Sequence, residues 1–406
     1  MIKTFTCLAC KSLEIKKLID FCDQPVSHHY ISKENDSSEI EYLRLSLCQC
    51  YDCGLIQLEE TAGINSYKIF YPWVRQSEPE SHLDDLVRKI TCLTGITKNS
   101  TIWGLSYKDK TTVDRFSNHG FKNCNTMDYN LFLNSGDQKN NIVLIQSIIN
   151  KKSLKKLQSI YGKPNVVICR HLLEHSHETS EFIASLKMLV EGGNYVVIEL
   201  PDCSRHIQNL DYTMLWEEHI TYYTENSIKS LLSIFSMQIV HSEVYEYPYE
   251  NCLTLIVTDN LQKDKLFVKE KIIEGINAFN NYSDSFKVVK TKINTLFKKL
   301  KSKNKKLAIY GSGHIASTFI NIFDLKKYIE FVIDDDKNKF ELLMPGNGLS
   351  IVPSDKIISE NIDVCFTAMS YENEQKVVKN NSKYLKMGGL MISISPNAKN
   401  SIYKMF

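Results

Sequence analysis

The chain has 406 residues, a formal net charge of +2 and 43% hydrophobic residues. That length gives two or three domains with room for a core in each, and the balanced charge argues against a nucleic-acid partner. No apolar run reaches the roughly 18 residues of a membrane span, and Met1-Ile2-Lys3-Thr4 lacks the apolar core of a signal peptide, so a cytoplasmic protein without a membrane partner is expected.

Twelve cysteines in a reducing compartment read as metal ligands or buried apolar residues rather than disulfides. Residues 1–65 are punctuated by them. Cys7-x2-Cys10 and Cys50-x2-Cys53 each place two sulfurs on one tight knuckle, and two knuckles supply the tetrahedral four-sulfur set that Zn²⁺ prefers. Four protein sulfurs leave no open position, so the expected role of the ion is to fold a small module. Buried free thiols are the plainer alternative, and Cys48 is a spare sulfur.

Residues 66–262 alternate strands and helices. Ser81 to Leu93 reads as a helix, Asn165 to Cys169 and Tyr195 to Pro201 as strands, and Glu181 to Leu189 as the helix between them, closed by Gly192-Gly193. This βαβ alternation predicts a mostly parallel, doubly wound sheet. Its first strand leads into Trp103-Gly104-Leu105-Ser106-Tyr107-Lys108, a turn with one glycine.

Residues 263–306 carry Val289, Ile293, Leu296, Phe297 and Leu300 at helical spacing and nine lysines from Lys287 to Lys306, which predicts a solvated helical connector. Residues 307–406 form a second α/β unit, with strands at Lys306 to Tyr310, Ile329 to Ile333, Val364 to Ala368 and Leu390 to Ile394. Gly311-x-Gly313-x-x-Ala316 follows a strand and opens a helix, and Asp334 ends the next strand. A tight turn, close approach to a pyrophosphate and an acid for the ribose are what a dinucleotide site requires, so this stretch alone favours NAD. The expected fold class is α/β, a small zinc-knuckle module followed by two doubly wound Rossmann-like domains.

Taken together, Cys7-x2-Cys10, Asp23-Gln24-Pro25 and Leu45-x4-Cys50-x2-Cys53-Gly54-Leu55-Ile56-Gln57-Leu58 resemble the zinc module of sugar-nucleotide C-methyltransferases. Arg170-His171-Leu172-Leu173-Glu174-His175 resembles their motif after the fourth strand, and Glu218-His219-Ile220-Thr221-Tyr222-Tyr223 their Glu-His-aliphatic-Ser-Tyr-Phe segment. Tyr310-Gly311, Asn321, Asp334 and Met344-Pro345-Gly346 fit the final domain. The resemblance covers essentially the whole chain.

The resemblance implies S-adenosylmethionine-dependent methylation of a carbon beside the keto group of a nucleotide-linked deoxysugar, through an enolate, in surface polysaccharide or glycoside biosynthesis. It implies His219 as base or base-assisting residue, Glu218 and Tyr222 in support, and Tyr71, in the cluster Tyr71-Pro72-Trp73, as a phenol donor or pocket wall. Gly104, Ser106, Asp128, Arg170 and His171 would serve the cofactor, with Asp128 accepting its ribose hydroxyls. Gly311, Gly313, Ala316 and Asp334 would hold the sugar nucleotide, or NAD in the alternative. His171, Glu174 and His175 line the pocket or cap a helix. A monomer or homodimer is expected.

Three stretches depart from the pattern. Trp216-Glu217 stands where the family has Tyr-His, and Tyr249-Glu250-Asn251-Cys252-Leu253 where a His-Gly-Gly-Ser segment is expected. Leu105-Ser106-Tyr107-Lys108 replaces a run of small residues, which predicts that Tyr107 and Lys108 occupy or recharge the space of a cationic sulfonium. The competing functions are a homologue that runs an isomerisation, elimination or NAD-dependent step, and a non-catalytic sugar-nucleotide-binding protein.

Overall fold

A computed structural model describes residues 5–32, 40–67, 71, 78–129, 132, 141–259 and 269–405. The cysteine-rich segment folds as an antiparallel meander of β1 (Ile15–Pro25), β2 (Tyr42–Cys50) and β3 (Ile56–Leu58). Leu45 and Leu47 are buried on β2 and all of β3 is buried, so this small sheet has an apolar interior besides its metal ligands.

The middle region begins with α1 (Leu83–Thr91), whose Leu83, Leu86, Val87 and Ile90 recur at helical spacing and are fully buried. Then follow β4 (Thr101–Gly104), α2 (Lys110–Asn118), β5 (Asn123–Thr126), β6 (Val166–Arg170), α3 (Thr179–Val190) and β7 (Tyr195–Asp202). After the short β8 (Thr221–Tyr222) come β9 (Met237–Glu246) and β10 (Asn251–Asp259). The sheet order is β9-β10-β7-β6-β4-β5. Its four strands from β7 to β5 are parallel, and β10 and β9 close one edge antiparallel. β6 is buried along its whole length because helices cover both faces, which is why it reads as an unbroken apolar run.

β8 does not join that sheet. It adds to the zinc module in the order β1-β2-β3-β8, pairing Ile56 with Tyr222 and Gln57 with Thr221. Leu58 N–H also donates to Ile220 O at 2.9 Å. The segment carrying His219 is therefore strapped to the cysteine module through backbone bonds.

α4 (Lys269–Ser302) is one 34-residue helix. Ile272, Ile276, Phe279, Tyr282, Val289, Ile293, Leu296 and Phe297 form its buried stripe. Tyr212 of the middle region bonds to Tyr282 O at 2.7 Å, and Phe297 stacks on Phe366 of the last domain at 4.7 Å. The expected connector is thus solvated on one face only; the other is shared core. Residues 263–268 lie outside the described residues.

The last domain comprises β11 (Leu307–Tyr310), α5 (His314–Ile322), β12 (Val332–Ile333), β13 (Ile351–Val352), β14 (Val364–Thr367) and β15 (Leu390–Ser393). All five strands are parallel in the order β13-β12-β11-β14-β15, so the order reverses between β11 and β14. Open α/β sheets bind ligands outside the carboxyl ends of strands at such a point. Ile31–Ser32 of the first module pairs antiparallel with Leu342–Leu343, and Pro25 packs on Gly346 so closely that a Cβ there would lie 2.6 Å from Pro25 Cγ. One hydrophobic cluster draws residues from all three regions. No helix among the described residues is long and apolar enough to cross a membrane.

Candidate active site

The zinc ligands come together as their spacing requires. Cys7 Sγ and Cys53 Sγ are 3.6 Å apart, as are Cys10 Sγ and Cys50 Sγ, and all four sulfurs lie within 4.8 Å of one another. Bonds of about 2.3 Å to a tetrahedral Zn²⁺ put sulfurs about 3.8 Å apart, so the set fits a structural zinc ion. Gln57 Oε1 accepts from Leu8 N–H at 2.8 Å and ties the first knuckle to β3. Gly54, at φ +77°, closes the second. Cys48, buried on β2, is not one of the four.

From this module the chain reaches the His219 loop. His219 N–H and the Tyr222 hydroxyl both donate to Trp216 O, at 3.0 and 2.9 Å, and Trp216 N–H donates to Tyr222 Oη at 3.1 Å. Ile220 N–H donates to Glu174 O at 2.8 Å, and His175 Nδ1 to Glu218 O at 3.0 Å. The loop is held from below by β3, from one side by the Glu174-His175 turn, and internally by Tyr222. The His219 ring, half-buried, lies 4.8 Å from those of His175 and Trp216, and His314 of α5 stacks on Trp216 at 4.9 Å. Side chains of three domains thus converge at one junction around His219, where Trp216 Nε1 also donates to Ser27 Oγ at 3.0 Å.

Electrostatics here depend on burial. Desolvation pushes His219 down to about 4, helped by His314 and Lys108 and opposed by Glu174 and Glu78. Burial likewise lowers His314 to about 4 and His175 well below its ordinary value. All three imidazoles are neutral at pH 7 and can accept a proton. Glu218 does not face His219: its Oε1 pairs with His28 Nδ1 at 2.9 Å, so the expected support crosses to the first module instead. Neighbouring Glu217 accepts from Ser27 N–H at 2.6 Å, and burial with the Glu218 charge raises it to about 7. Tyr222, its hydroxyl bonded on both sides within the loop, is placed to position rather than to donate. Tyr71 donates to Tyr30 O at 3.3 Å, while Pro72 and Trp73 lie outside the described residues.

The glycine-poor turn follows β4. A Cβ on Gly104 would come within 2.8 Å of Asp109 Cβ and 2.9 Å of Val113 Cγ2, so helix packing demands this glycine. Ser106 N–H donates to Asp109 Oδ2 at 2.6 Å and Lys108 N–H to Ser106 Oγ at 3.2 Å. Arg170 N–H reaches Asp109 Oδ1 at 2.8 Å, and burial pushes Asp109 up to about 7 against the pull of Arg170. The Arg170 side chain, 1% exposed, donates to Glu199 and to Lys108 O, both at 2.8 Å. His171, at φ +49°, lies 3.2 Å from Glu199 and 3.3 Å from Glu174. Arg170 and His171 therefore frame the turn from beneath through bonds to Asp109, Glu199 and Lys108 O, and Ser106 caps the turn.

Tyr107 and Lys108 part company. Tyr107 is 41% exposed, while the Lys108 side chain is 9% exposed and pairs with Glu78. Burial opposes ionisation of Glu78, yet the Lys108 and His171 charges hold it below the usual carboxylate range. Only Lys108 recharges the space, and Glu78 offsets it. Met127 N–H donates to Gly104 O at 2.8 Å, which pins the end of β5 to the turn and leaves Asp128 exposed beside it. An exposed carboxylate at the end of the second strand fits the ribose hydroxyls of S-adenosylmethionine.

The glycine-rich turn is already filled by the protein. Gly311 has φ +100°, and a Cβ on it would sit 2.5 Å from Ala368 O. Asp334 Oδ2 accepts from Ser312 N–H at 3.0 Å and Ser312 Oγ at 2.6 Å, and pairs with Lys339 Nζ at 2.9 Å. The Tyr30 hydroxyl donates to Ser312 O at 2.8 Å. Gly313 caps α5 and Ala316 is buried beneath it. The acid that NAD would need for its ribose is engaged by its own turn. The reading from the residues missed Glu78, His28 and His314, which carry no local motif and enter from distant segments.

Comparison with known proteins runs in the same order along the chain. Residues 7–66 match a zinc binding domain, 103–242 a methyltransferase domain and 261–396 a C-methyltransferase C-terminal domain. The chain is also similar to a Burkholderia thailandensis 1,6-didemethyltoxoflavin-N1-methyltransferase solved with S-adenosylhomocysteine. The identity is 10% over 44% of this chain and 78% of that one, with a TM-score of 0.29, too low to carry an argument. No curated protein matches significantly.

Proposed function

Because the chain belongs to the C-methyltransferase family, whose three domains it carries in order, we propose that it methylates a carbon beside the keto group of a nucleotide-linked deoxysugar. We assign the roles to a zinc module (1–65), a methyltransferase-like domain (66–262), a helical connector (263–306) and a C-terminal domain (307–406) that helps hold the sugar nucleotide. When bound, S-adenosylmethionine supplies an electrophilic methyl group on a sulfonium.

The observation that carries this reading is His219, a neutral imidazole at a junction of three domains, packed against His175 and Trp216. Removing a proton beside a ketone needs such a base, or a residue assisting one, and a cation or donor where the enolate charge develops. Lys108, held inward by Glu78, is the ammonium available for the second task. Trp216 and His314 wall off water, and the zinc module holds the loop through β3 without entering the chemistry.

Calorimetric titration with S-adenosylhomocysteine is expected to show one site per chain. Incubation with S-adenosylmethionine and nucleoside-diphosphate keto-deoxysugars is expected to add one methyl group by mass spectrometry. In deuterated water without cofactor, the wild type exchanges the proton beside the ketone and His219→Ala does not. Absence of both binding and methyl gain would reject the reading.

A further inference from the structure

One buried group at this junction has no task in that reaction. Glu174 is 2% exposed, and neither carboxylate oxygen has a hydrogen bond among the described residues. Among the described residues its one charged neighbour in contact is His171, whose Nδ1 lies 3.3 Å from Oε1 while Nε2 is engaged by Glu199 at 3.2 Å. A buried carboxylate that shares one imidazole with a second carboxylate, and has Oε2 without a partner, has room for a further cation. Lys108 is paired with Glu78.

We propose that Glu174, His175 and His219 form a second metal centre, a site for a divalent transition ion with two imidazoles and one carboxylate, its remaining positions left to a ligand. One ligand atom from each residue lies within 4.8 Å of the other two. Ligands about 2.1 Å from one ion stand about 3.0–3.4 Å apart, so side-chain shifts on the order of 1 Å close the set. Nor is the site loosely held. Because a carbonyl can only accept, His175 Nδ1 carries the proton it gives Glu218 O at 3.0 Å, and Nε2 keeps its lone pair. Metal-binding imidazoles are oriented by this kind of outer hydrogen bond. The Ile220 N–H bond to Glu174 O, at 2.8 Å, ties the two ligand-bearing segments together.

Among the described residues, two other clusters besides the four cysteines have metal-like composition, but their ligand atoms are engaged. Both ring nitrogens of His82 are taken, by Tyr247 at 2.8 Å and Glu199 at 3.0 Å. Glu217 and Glu218 bind Ser27 N–H and His28. Only the Glu174 cluster keeps both carboxylate oxygens free of hydrogen bonds. Its harder nitrogen–oxygen set suits Zn²⁺, Co²⁺, Fe²⁺ or Mn²⁺, whereas the four thiolates take zinc. An ion there would polarise a ketone or hydroxyl oxygen of the ligand. The inference goes beyond the methyl-transfer reading, since with the ion bound His219 assists as a ligand instead of taking the proton itself.

The full chain, purified with zinc in its cysteine site, is titrated with Co²⁺. The expected result is one further metal per chain by elemental analysis, with visible cobalt bands that lack sulfur-to-cobalt charge transfer. Glu174→Gln, nearly isosteric, and His219→Gln each weaken Co²⁺ binding at least tenfold with circular dichroism unchanged, whereas Glu218→Gln does not. A content fixed at one metal per chain, or wild-type Co²⁺ affinity in Glu174→Gln, overturns the proposal. If Glu174→Gln does not fold, the His219→Gln titration decides by the same criterion. Metal content is read apart from turnover, so two metals without methyl transfer reject the function alone, and methyl transfer with one metal rejects the centre alone.

Discussion

The turns after β4 and β11 share a construction and differ in one decisive place. In each, a serine gives both its N–H and its hydroxyl to one aspartate oxygen: Ser106 to Asp109 at 2.6 and 3.2 Å, Ser312 to Asp334 at 3.0 and 2.6 Å. After β4 that aspartate is three residues away and closes a capping box on the 3-10 turn 107–109, while Asp128, the acid at the end of the neighbouring strand, is exposed. After β11 the partner is itself the strand-end acid, and the turn shuts on it. Glycine content thus reports how closely backbones approach, whereas the two strand-end acids differ in exposure: Asp128 lies at the surface and Asp334 is half-buried in its own turn.

The sharpest test of that contrast is Gly311→Ala. Its positive φ and the 2.5 Å approach to Ala368 O predict a loss of about 3–5 kcal/mol in denaturant unfolding. Gly313→Ala, with nothing within 4 Å of the new Cβ, stays within about 1 kcal/mol. Equal losses would mean that the second turn is not closed as described.

Next in size is Lys108→Met. It strands Glu78, whose side chain is 23% exposed, and is expected to cost about 2–3 kcal/mol by thermal denaturation. Adding Glu78→Gln restores most of it; a double variant no better than the single would show that Lys108 acts without Glu78.

A smaller effect appears with pH. His219 and His314 fall from 6.5 to about 4 on folding, so the unfolded chain binds protons first as the solution is acidified. Their contribution is fully present above about 6.5 and is lost as pH falls through about 4. Calorimetric melting temperatures should decline across that window, and less steeply in His314→Gln. An unchanged slope would remove His314 from the junction.

Smallest is Ser312→Ala, which deletes one bond to Asp334 and should cost about 1 kcal/mol. Added NAD is expected to leave the melting temperature of wild type and variant unchanged; a rise would reopen the second turn as a dinucleotide site.

Much of the fold was legible because its signals are local. The cysteine knuckles announce four ligands by spacing alone. β6, β7, β11, β14 and β15 are apolar runs because parallel strands are covered on both faces. The strand expected at 329–333 is shorter, only Val332–Ile333, since Phe331 and the residues before it belong to the approach rather than to the ladder. The site was less legible. Glu218 was expected to support its neighbour His219, but in the turn at 217–218 its carboxylate pairs with His28, which lies far back in the chain. For Arg170 and His171 the motif gave no sign of Glu199 on the neighbouring strand, which bonds to both.

By itself, then, the sequence determined the zinc knuckles and the order of α/β units, and it pointed to the segment that carries the proposed base, because spacing and periodicity act within a few residues. Which strand-end acid is exposed, which carboxylate faces His219 and which cation enters the junction were decided only by the tertiary structure. Desolvation and pairing depend on groups that the fold alone brings within a few ångströms: Glu78 against Lys108, His28 against Glu218, His314 over Trp216.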